Sequence, residues 1–262
     1  MTIGFIGTGN MGGALMHAFA ALPEHRLIAY NRGRDKLLAV CDATGAEPCE
    51  SAAEAAQNSD MLVLAIKPAG MAALLEELAG CLRPEQLIVT IAAGLPISFY
   101  TQRLGSQVKL VRTLPNIPAQ VRAGMTPMCF GENVTPEEQE SVQSVFAAAG
   151  RTEVIPESLM DPVATLTGCS PAFVFLFLEA MADASVQAGI PRQQAYRMAA
   201  QAVMGSAKLM LETGQHPGAL KDAVCSPGGT TIRGVNKLEE TGFRGSVIQA
   251  MEASTAANRA MK

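Results

Sequence analysis

Apolar positions along the chain alternate between short strand-like runs and stretches with helical spacing. Ile3-Gly4-Phe5-Ile6 reads as a buried strand, and Ala14, Leu15, Ala18 and Phe19 follow at helical intervals. Leu27 to Tyr30 is the next strand. Asp35 to Ala43 is a helix closed by Gly45, and Ser51 caps a short alanine-rich helix. Met61 to Ile66 is unbroken apolar sequence, as expected of a strand covered on both faces. Met71 to Leu78 and Ser98 to Leu104 read as helices, and Gln86 to Ile91 and Val108 to Val111 as strands. Thr135-Pro136-Glu137-Glu138 is a strong helix start, with a cap, Pro at the first position and acids in the first turn. Arg151 to Ile155 closes the sheet.

Beyond Pro156 the pattern changes, and no strand is expected. Pro171 to Ala188 reads as a long helix that is apolar nearly all round, so it lies within a core or between subunits. Helices from Pro191 to about Glu212, from His216-Pro217 to near Val224, from Gly229 to Glu240 and from Phe243 to Met261 complete the chain. The expected fold is α/β. A Rossmann-type dinucleotide-binding domain spans residues 1–156, and an all-helical domain for substrate binding and dimerisation spans 157–262. So apolar a helical set makes a poor monomer, and a homo-oligomer, at least a dimer, is expected.

The first strand-to-helix turn carries candidate chemistry. Gly7-Thr8-Gly9-Asn10-Met11-Gly12 is G-x-G-x-x-G between a strand and a helix. Its glycines serve the tight turn, the approach of a pyrophosphate and close helix packing. At the end of the second strand Asn31 stands where an NAD enzyme would place Asp or Glu, and Arg32 and Arg34 follow. A carboxylate would repel a 2′-phosphate and arginine can bind one, which favours NADPH, with NADH possible but weaker. Ligands of such sheets bind outside the carboxyl ends of the strands, so Lys67-Pro68, Ala92-Ala93-Gly94 and Pro115-Asn116 should line one crevice.

A second glycine-rich stretch, Ser226-Pro227-Gly228-Gly229-Thr230-Thr231, precedes a helix marked by Ile232, Val235 and Leu238. Backbone N–H groups and threonine hydroxyls at a helix start can hold an anion, although a plain helix–helix turn has the same composition.

Composition narrows the function. The chain has 262 residues, 48% of them hydrophobic, and a net charge of −4, which speaks against nucleic acid as a partner. Its six cysteines show no C-x-x-C spacing, so neither a metal site nor a disulfide framework is expected. Scattered thiols suit a reducing compartment, and no basic segment precedes the first strand, so a cytoplasmic location is expected. The longest apolar run, Phe173 to Leu178, is too short to span a membrane, and no membrane partner is expected. The hydride acceptor could be a carbonyl, an imine, or nothing at all in a cofactor-sensing regulator. Surface or packing roles fit His17 and His25, and capping fits His216. Leu159 to Ala188 contains no Lys, which counts against a β-hydroxyacid dehydrogenase.

The sequence resembles the pyrroline-5-carboxylate reductases, NADPH-dependent enzymes that form L-proline from its cyclic imine. The N-terminal run Ile3 to Gly12 is shared with relatives of that family. More telling are Ala65-Ile66-Lys67-Pro68 and Leu114-Pro115-Asn116-Ile117-Pro118-Ala119. Most specific is His216-Pro217-Gly218-Ala219-Leu220-Lys221-Asp222, continued through Ser226–Thr231 to Leu238-Glu239. The resemblance implies that Ile6, Gly7, Thr8, Gly9, Asn10 and Met11 hold the pyrophosphate. It puts Ala65, Ile66, Lys67, Pro68, Ile91, Ala92 and Ala93 on the nicotinamide side and Glu157 near the cofactor, beside Asn31, Arg32 and Asn116 already read from the strand ends. It gives the substrate to Ser226, Thr230 and Thr231. The substrate carboxylate is then expected on the N–H groups of Gly229, Thr230 and Thr231, with Thr231 as the catalytic hydroxyl near the imine nitrogen. It further implies a dimer of interlocked C-terminal helices, whose active site joins the nucleotide domain of one subunit to helices of its neighbour. One departure stands out. Thr167-Gly168-Cys169-Ser170-Pro171-Ala172 replaces the family's Ser-Gly-Ser-Gly-Pro-Ala, and no role is transferred to Cys169 or Ser170.

Overall fold

The computed structural model describes residues 1–260. It divides into two compact units, residues 1–168 with the chain end from Ala257, and Cys169–Ala256.

The first unit is built on strands β1 (Thr2–Ile6), β2 (Arg26–Tyr30), β3 (Glu47–Pro48), β4 (Met61–Leu64), β5 (Leu87–Thr90), β6 (Lys109–Thr113), β7 (Gly124–Phe130) and β8 (Gly150–Val154). They form one sheet in the order β3-β2-β1-β4-β5-β6-β7-β8. Strands β1 to β6 run parallel, β7 returns antiparallel to β6, and β8 is parallel to β7. Helices α1 (Asn10–Phe19), α2 (Arg34–Thr44), α3 (Ala52–Gln57), α4 (Met71–Leu78), α5 (Ile97–Leu104), α6 (Pro136–Ala147) and α7 (Met160–Val163) connect and flank them. Each central strand feeds two cores. Phe5, Val63, Val89 and Val111 join α1 and α6 in one, and Ile6, Leu64, Ile88 and Leu110 join α3, α4 and α5 in the other. This two-sided burial is why β4 and β5 read as continuous apolar sequence.

Local signals set the boundaries. Ser51 Oγ accepts the Glu54 N–H, Thr135 and Glu138 form a capping box, and Gly45 closes α2 in the left-handed conformation. Strand β7 does not appear in the sequence pattern. Gly124 and Pro127 punctuate it, and Pro127 lacks a ladder donor although neighbouring strands lie on both sides.

By contacts, residues 157–168 group with the first unit. Glu157 bonds Ile97 and Arg112, Asn116 bonds Thr167, and Met160 shares a small core with Leu114 and Cys129. The altered Thr167–Ala172 segment begins inside a π-helical stretch, Ala164–Cys169, and ends in the first turn of the helix that follows at Ser170. Asn116 Nδ2 donates to the Thr167 carbonyl at 2.9 Å and Asn116 Oδ1 accepts the Met125 N–H at 2.9 Å, tying that stretch to the start of β7.

The second unit consists of α8 (Ser170–Gln187), α9 (Arg192–Thr213), α10 (Pro217–Val224), α11 (Thr230–Glu240) and α12 (Phe243–Ala260), the last returning to the first unit at its end. The expected end of α12 at Met261 lies outside the described residues. His216 is the cap of α10, its Nδ1 accepting the Gly218 N–H at 3.1 Å. Of the expected settings for α8, the core of a single chain is not realised. Only Ala182 is buried in α8, while Phe175 is 57% and Leu176 67% exposed. The helical stretch Glu157–Gln187 is long and apolar enough, by length and composition alone, to cross a membrane.

Candidate active site

The glycine turn after β1 fits a dinucleotide by exclusion as much as by invitation. Gly7 has φ +106, and a Cβ there would meet the Ala65 carbonyl oxygen at 2.5 Å. A Cβ on Gly12 would lie 2.3 Å from the Gly7 oxygen, so α1 can approach β4 only with glycine at this position. Gly9 faces the other way, and a Cβ there would meet nothing within 4 Å. Open space therefore lies over the second glycine, at the start of α1. The first N–H groups of a helix lack intrahelical acceptors, and no acid stands in the first turn of α1 to compete for them. Thr8 is 4% exposed, and its Oγ1 has no hydrogen-bond partner among the described residues. These features together fit a phosphate-bearing cofactor.

Asn31 closes this turn from the side. Its Oδ1 accepts the Thr8 N–H at 3.2 Å, and its Nδ2 donates to the Gly33 carbonyl at 3.0 Å. Each end of the amide makes one hydrogen bond to the loop, so Asn31 shapes it. Arg34 is held by Glu50 at 2.6 Å, which raises its pKa through that hydrogen bond. Arg32 is exposed and has no ion pair among the described residues, which leaves it as the free guanidinium of the turn.

The other strand ends differ in what they offer. Ile66 is half-buried, and Lys67 and Pro68 are exposed after β4. Ala92 is buried and its N–H donates to Thr90 Oγ1 at 3.2 Å, whereas Ala93 is exposed. Asn116, as described, spends both amide ends within the unit. Glu157 bonds within the unit through one oxygen: its Oε1 accepts the Ile97 N–H at 2.6 Å and the Arg112 guanidinium at 3.2 Å. Asp161 also faces Arg112, at 3.5 Å. Beneath these ends lies a set of polar residues that the sequence reading missed. Thr90 and Tyr100 share a 2.7 Å hydrogen bond, and Thr113 Oγ1 donates to the Thr90 carbonyl at 3.1 Å. Burial pushes the Tyr100 phenol up to about 12 and the Cys129 thiol up to about 11. The available signal was a polar residue at an otherwise apolar position, as Thr90 is after Leu87-Ile88-Val89.

In the second unit Ser226-Pro227-Gly228-Gly229 forms a turn, closed by the Gly229 N–H to the Ser226 carbonyl at 3.0 Å. Pro in the second place and Gly228 at φ +70 in the third are the requirements of a type II turn. The turn corrects one expectation: the Gly229 N–H is spent here and is not free for an anion. Ser226 Oγ stands 2.4 Å from where a Gly229 Cβ would be, so only glycine fits beneath it. Gly229 caps α11 without a side chain, and α11 has no acid in its first turn. The Thr230 and Thr231 N–H groups open the helix without intrahelical acceptors. The hydroxyls of Ser226, Thr230 and Thr231 make no hydrogen bond among the described residues, and all three residues are exposed.

A Rossmann glycine turn with an arginine-bearing neighbour, followed by an all-helical unit, defines a dinucleotide-dependent oxidoreductase of two domains. Comparison with known families agrees. Residues 2–94 match a model described as NADP oxidoreductase, coenzyme F420-dependent, and residues 157–261 match one described as pyrroline-5-carboxylate reductase dimerisation. The chain belongs to the pyrroline-5-carboxylate reductase family. It is 50% identical to the pyrroline-5-carboxylate reductase of Escherichia coli (strain K12), covering 95% of this chain and 94% of that one. It is also similar to the solved pyrroline-5-carboxylate reductase of Coxiella burnetii, with TM-score 0.93 and 31% identity over 99% of this chain and 98% of that one. The pyrroline carboxylate reductase of Plasmodium falciparum, solved with NADP bound, matches with TM-score 0.87 and 31% identity over 100% and 98% of the two chains.

Proposed function

We propose that the chain reduces 1-pyrroline-5-carboxylate to L-proline with NADPH, the last step of proline biosynthesis, as a homodimer. Half-identity to a reductase across almost the whole chain supports this over a β-hydroxyacid dehydrogenase or a non-catalytic NADP-binding regulator. The observation that carries the substrate assignment is the start of α11, where unpaired N–H groups and exposed hydroxyls meet without a competing acid.

NADPH supplies the hydride that adds to the imine carbon. The turn Ile6–Met11 would hold its pyrophosphate over Gly9, and Arg32 would take the 2′-phosphate. Ala65–Pro68 and Ile91–Ala93 would face the nicotinamide half. Asn31, Asn116 and Glu157 support these segments through the bonds they make inside the unit. The N–H groups of Thr230 and Thr231 would receive the substrate carboxylate at the positive end of α11, with Ser226 adding a hydroxyl. Thr231 would direct its hydroxyl to the imine nitrogen. The protonated imine is already electrophilic, so positioning supplies most of the catalysis.

A cytoplasmic location suits this biosynthetic role and the six free thiols. Neither nucleic acid nor a membrane is proposed as a partner, since the net charge is −4 and a second copy of the chain accounts for the apolar helices.

The deciding experiment follows NADPH oxidation with pyrroline-5-carboxylate, and the reverse reaction with proline at high pH. Turnover in neither direction would revive the regulator reading. Thr231→Val should lower kcat/KM about tenfold or more. Unchanged turnover and substrate affinity in that variant would remove Thr231 from the site.

A further inference from the structure

The loop 91–96 between β5 and α5 is pinned at both ends by side-chain hydrogen bonds. At its start Thr90 Oγ1 accepts the Ala92 N–H at 3.2 Å and bonds Tyr100 Oη at 2.7 Å. At its end Glu157 Oε1 accepts the Ile97 N–H at 2.6 Å, with Arg112 Nη1 on the same oxygen at 3.2 Å. Thr90 and Tyr100 are both fully buried, so neither can touch a cofactor. Between the pins Ile91 is half-buried, Ala93 is exposed, and Gly94 at φ +81 turns the chain. The Tyr100 phenol, pushed up to about 12 by burial, keeps its proton through the working range of pH. A loop fixed in this way is set before its ligand arrives, which is the condition for precise placement of a reacting ring.

We propose that Tyr100, acting through Thr90, is a positioning residue for the nicotinamide end of NADPH, fixing the height of the Ala92-Ala93 backbone against the ring. This rests on the assignment of Ile91–Ala93 to the nicotinamide side, and the experiment keeps the two ideas apart. Tyr100→Phe, Thr90→Val and Thr90→Ser are compared with the wild type in calorimetric binding of two ligands. One is NADPH. The other is 2′-phospho-ADP-ribose, which lacks the nicotinamide. Tyr100→Phe and Thr90→Val should weaken NADPH about three- to tenfold, the effect of one hydrogen bond, and leave 2′-phospho-ADP-ribose unchanged. Thr90→Ser keeps the hydroxyl and should bind both ligands as the wild type does. Equal weakening of both ligands in Tyr100→Phe means a merely structural role and overturns the proposal, as does no change in either. Ala93→Val tests the underlying assignment. NADPH affinity unchanged in Ala93→Val removes the loop from the nicotinamide side. Lost affinity there, beside a wild-type Tyr100→Phe, removes only the positioning role.

Discussion

Helices α1 and α8 are both rich in apolar residues, yet they end in opposite surroundings. Helix α1 is ten residues long and buries seven of them against the sheet. Helix α8 is eighteen residues long and buries only Ala182, leaving Phe175 and Leu176 more than half exposed. The first unit buries most of its large apolar side chains within one chain, whereas the second leaves many of its own exposed. The same contrast holds for the two glycine-led helix starts. The start of α1 is locked by glycines against β4, and the start of α11 rests on an exposed type II turn.

The largest expected effect is at α8. Leu176→Glu would place a carboxylate on the exposed apolar face of α8, and if a second copy covers that face the cost is several kcal/mol. The dimer should weaken by ~100-fold or more, since about 1.4 kcal/mol is a factor of ten. Sedimentation equilibrium across a dilution series reads this directly. A wild type that is monomeric at every concentration would break the comparison at its root.

Leu62→Ala next probes the self-contained core. Leu62 is fully buried between β4 and its neighbours, and its truncation should cost about 2–5 kcal/mol. The drop in Tm should be independent of protein concentration, while that of Leu176→Ala should grow on dilution. Melting curves at two concentrations separate them.

The glycine turn allows a finer cut. Gly9→Ala has room within the chain and a negative φ, so Tm should hold while NADPH affinity falls about tenfold or more as the methyl enters the phosphate path. Gly12→Ala collides with the Gly7 oxygen and should lower both. Calorimetry beside melting curves checks the pair. Equal losses of stability in the two variants would show that Gly9 is retained for folding.

The smallest effect is in pH. Burial pushes the Cys49 and Cys129 thiols up to about 11 from an ordinary value of 9.0. A pKa raised on folding contributes stability that is complete below the unfolded value and lost as pH rises through the folded one. Tm should therefore slip between about pH 9 and 11, and a Cys49→Ala, Cys129→Ala double variant should flatten that slope.

Much of this was legible along the chain. Periodicity, caps and the placement of Gly and Pro predict most elements, because helix ends and turns answer to short-range sterics and hydrogen bonds. His216 as a cap, Gly45 as a helix stop and the Gly7–Gly12 turn are signals of that kind. Strand β7 was hidden because Pro127 and Gly124 read locally as breaks, and only pairing with β6 and β8 holds them extended.

The sequence by itself determined the alternating α/β half, the helical half and the family, since each rests on local pattern or shared motif. Tertiary structure alone decided the partners of the polar residues. Asn31, Asn116 and Glu157 are motif positions, but long-range contacts commit each of them to loop geometry. The Gly229 N–H, by contrast, is spent on a local type II turn. Thr90 and Tyr100 came together beneath the loop 91–96 because a strand and the helix after it fold back on one another. A hydrogen bond between residues far apart in sequence leaves no period and no motif, so it becomes visible only when the chain has closed on itself.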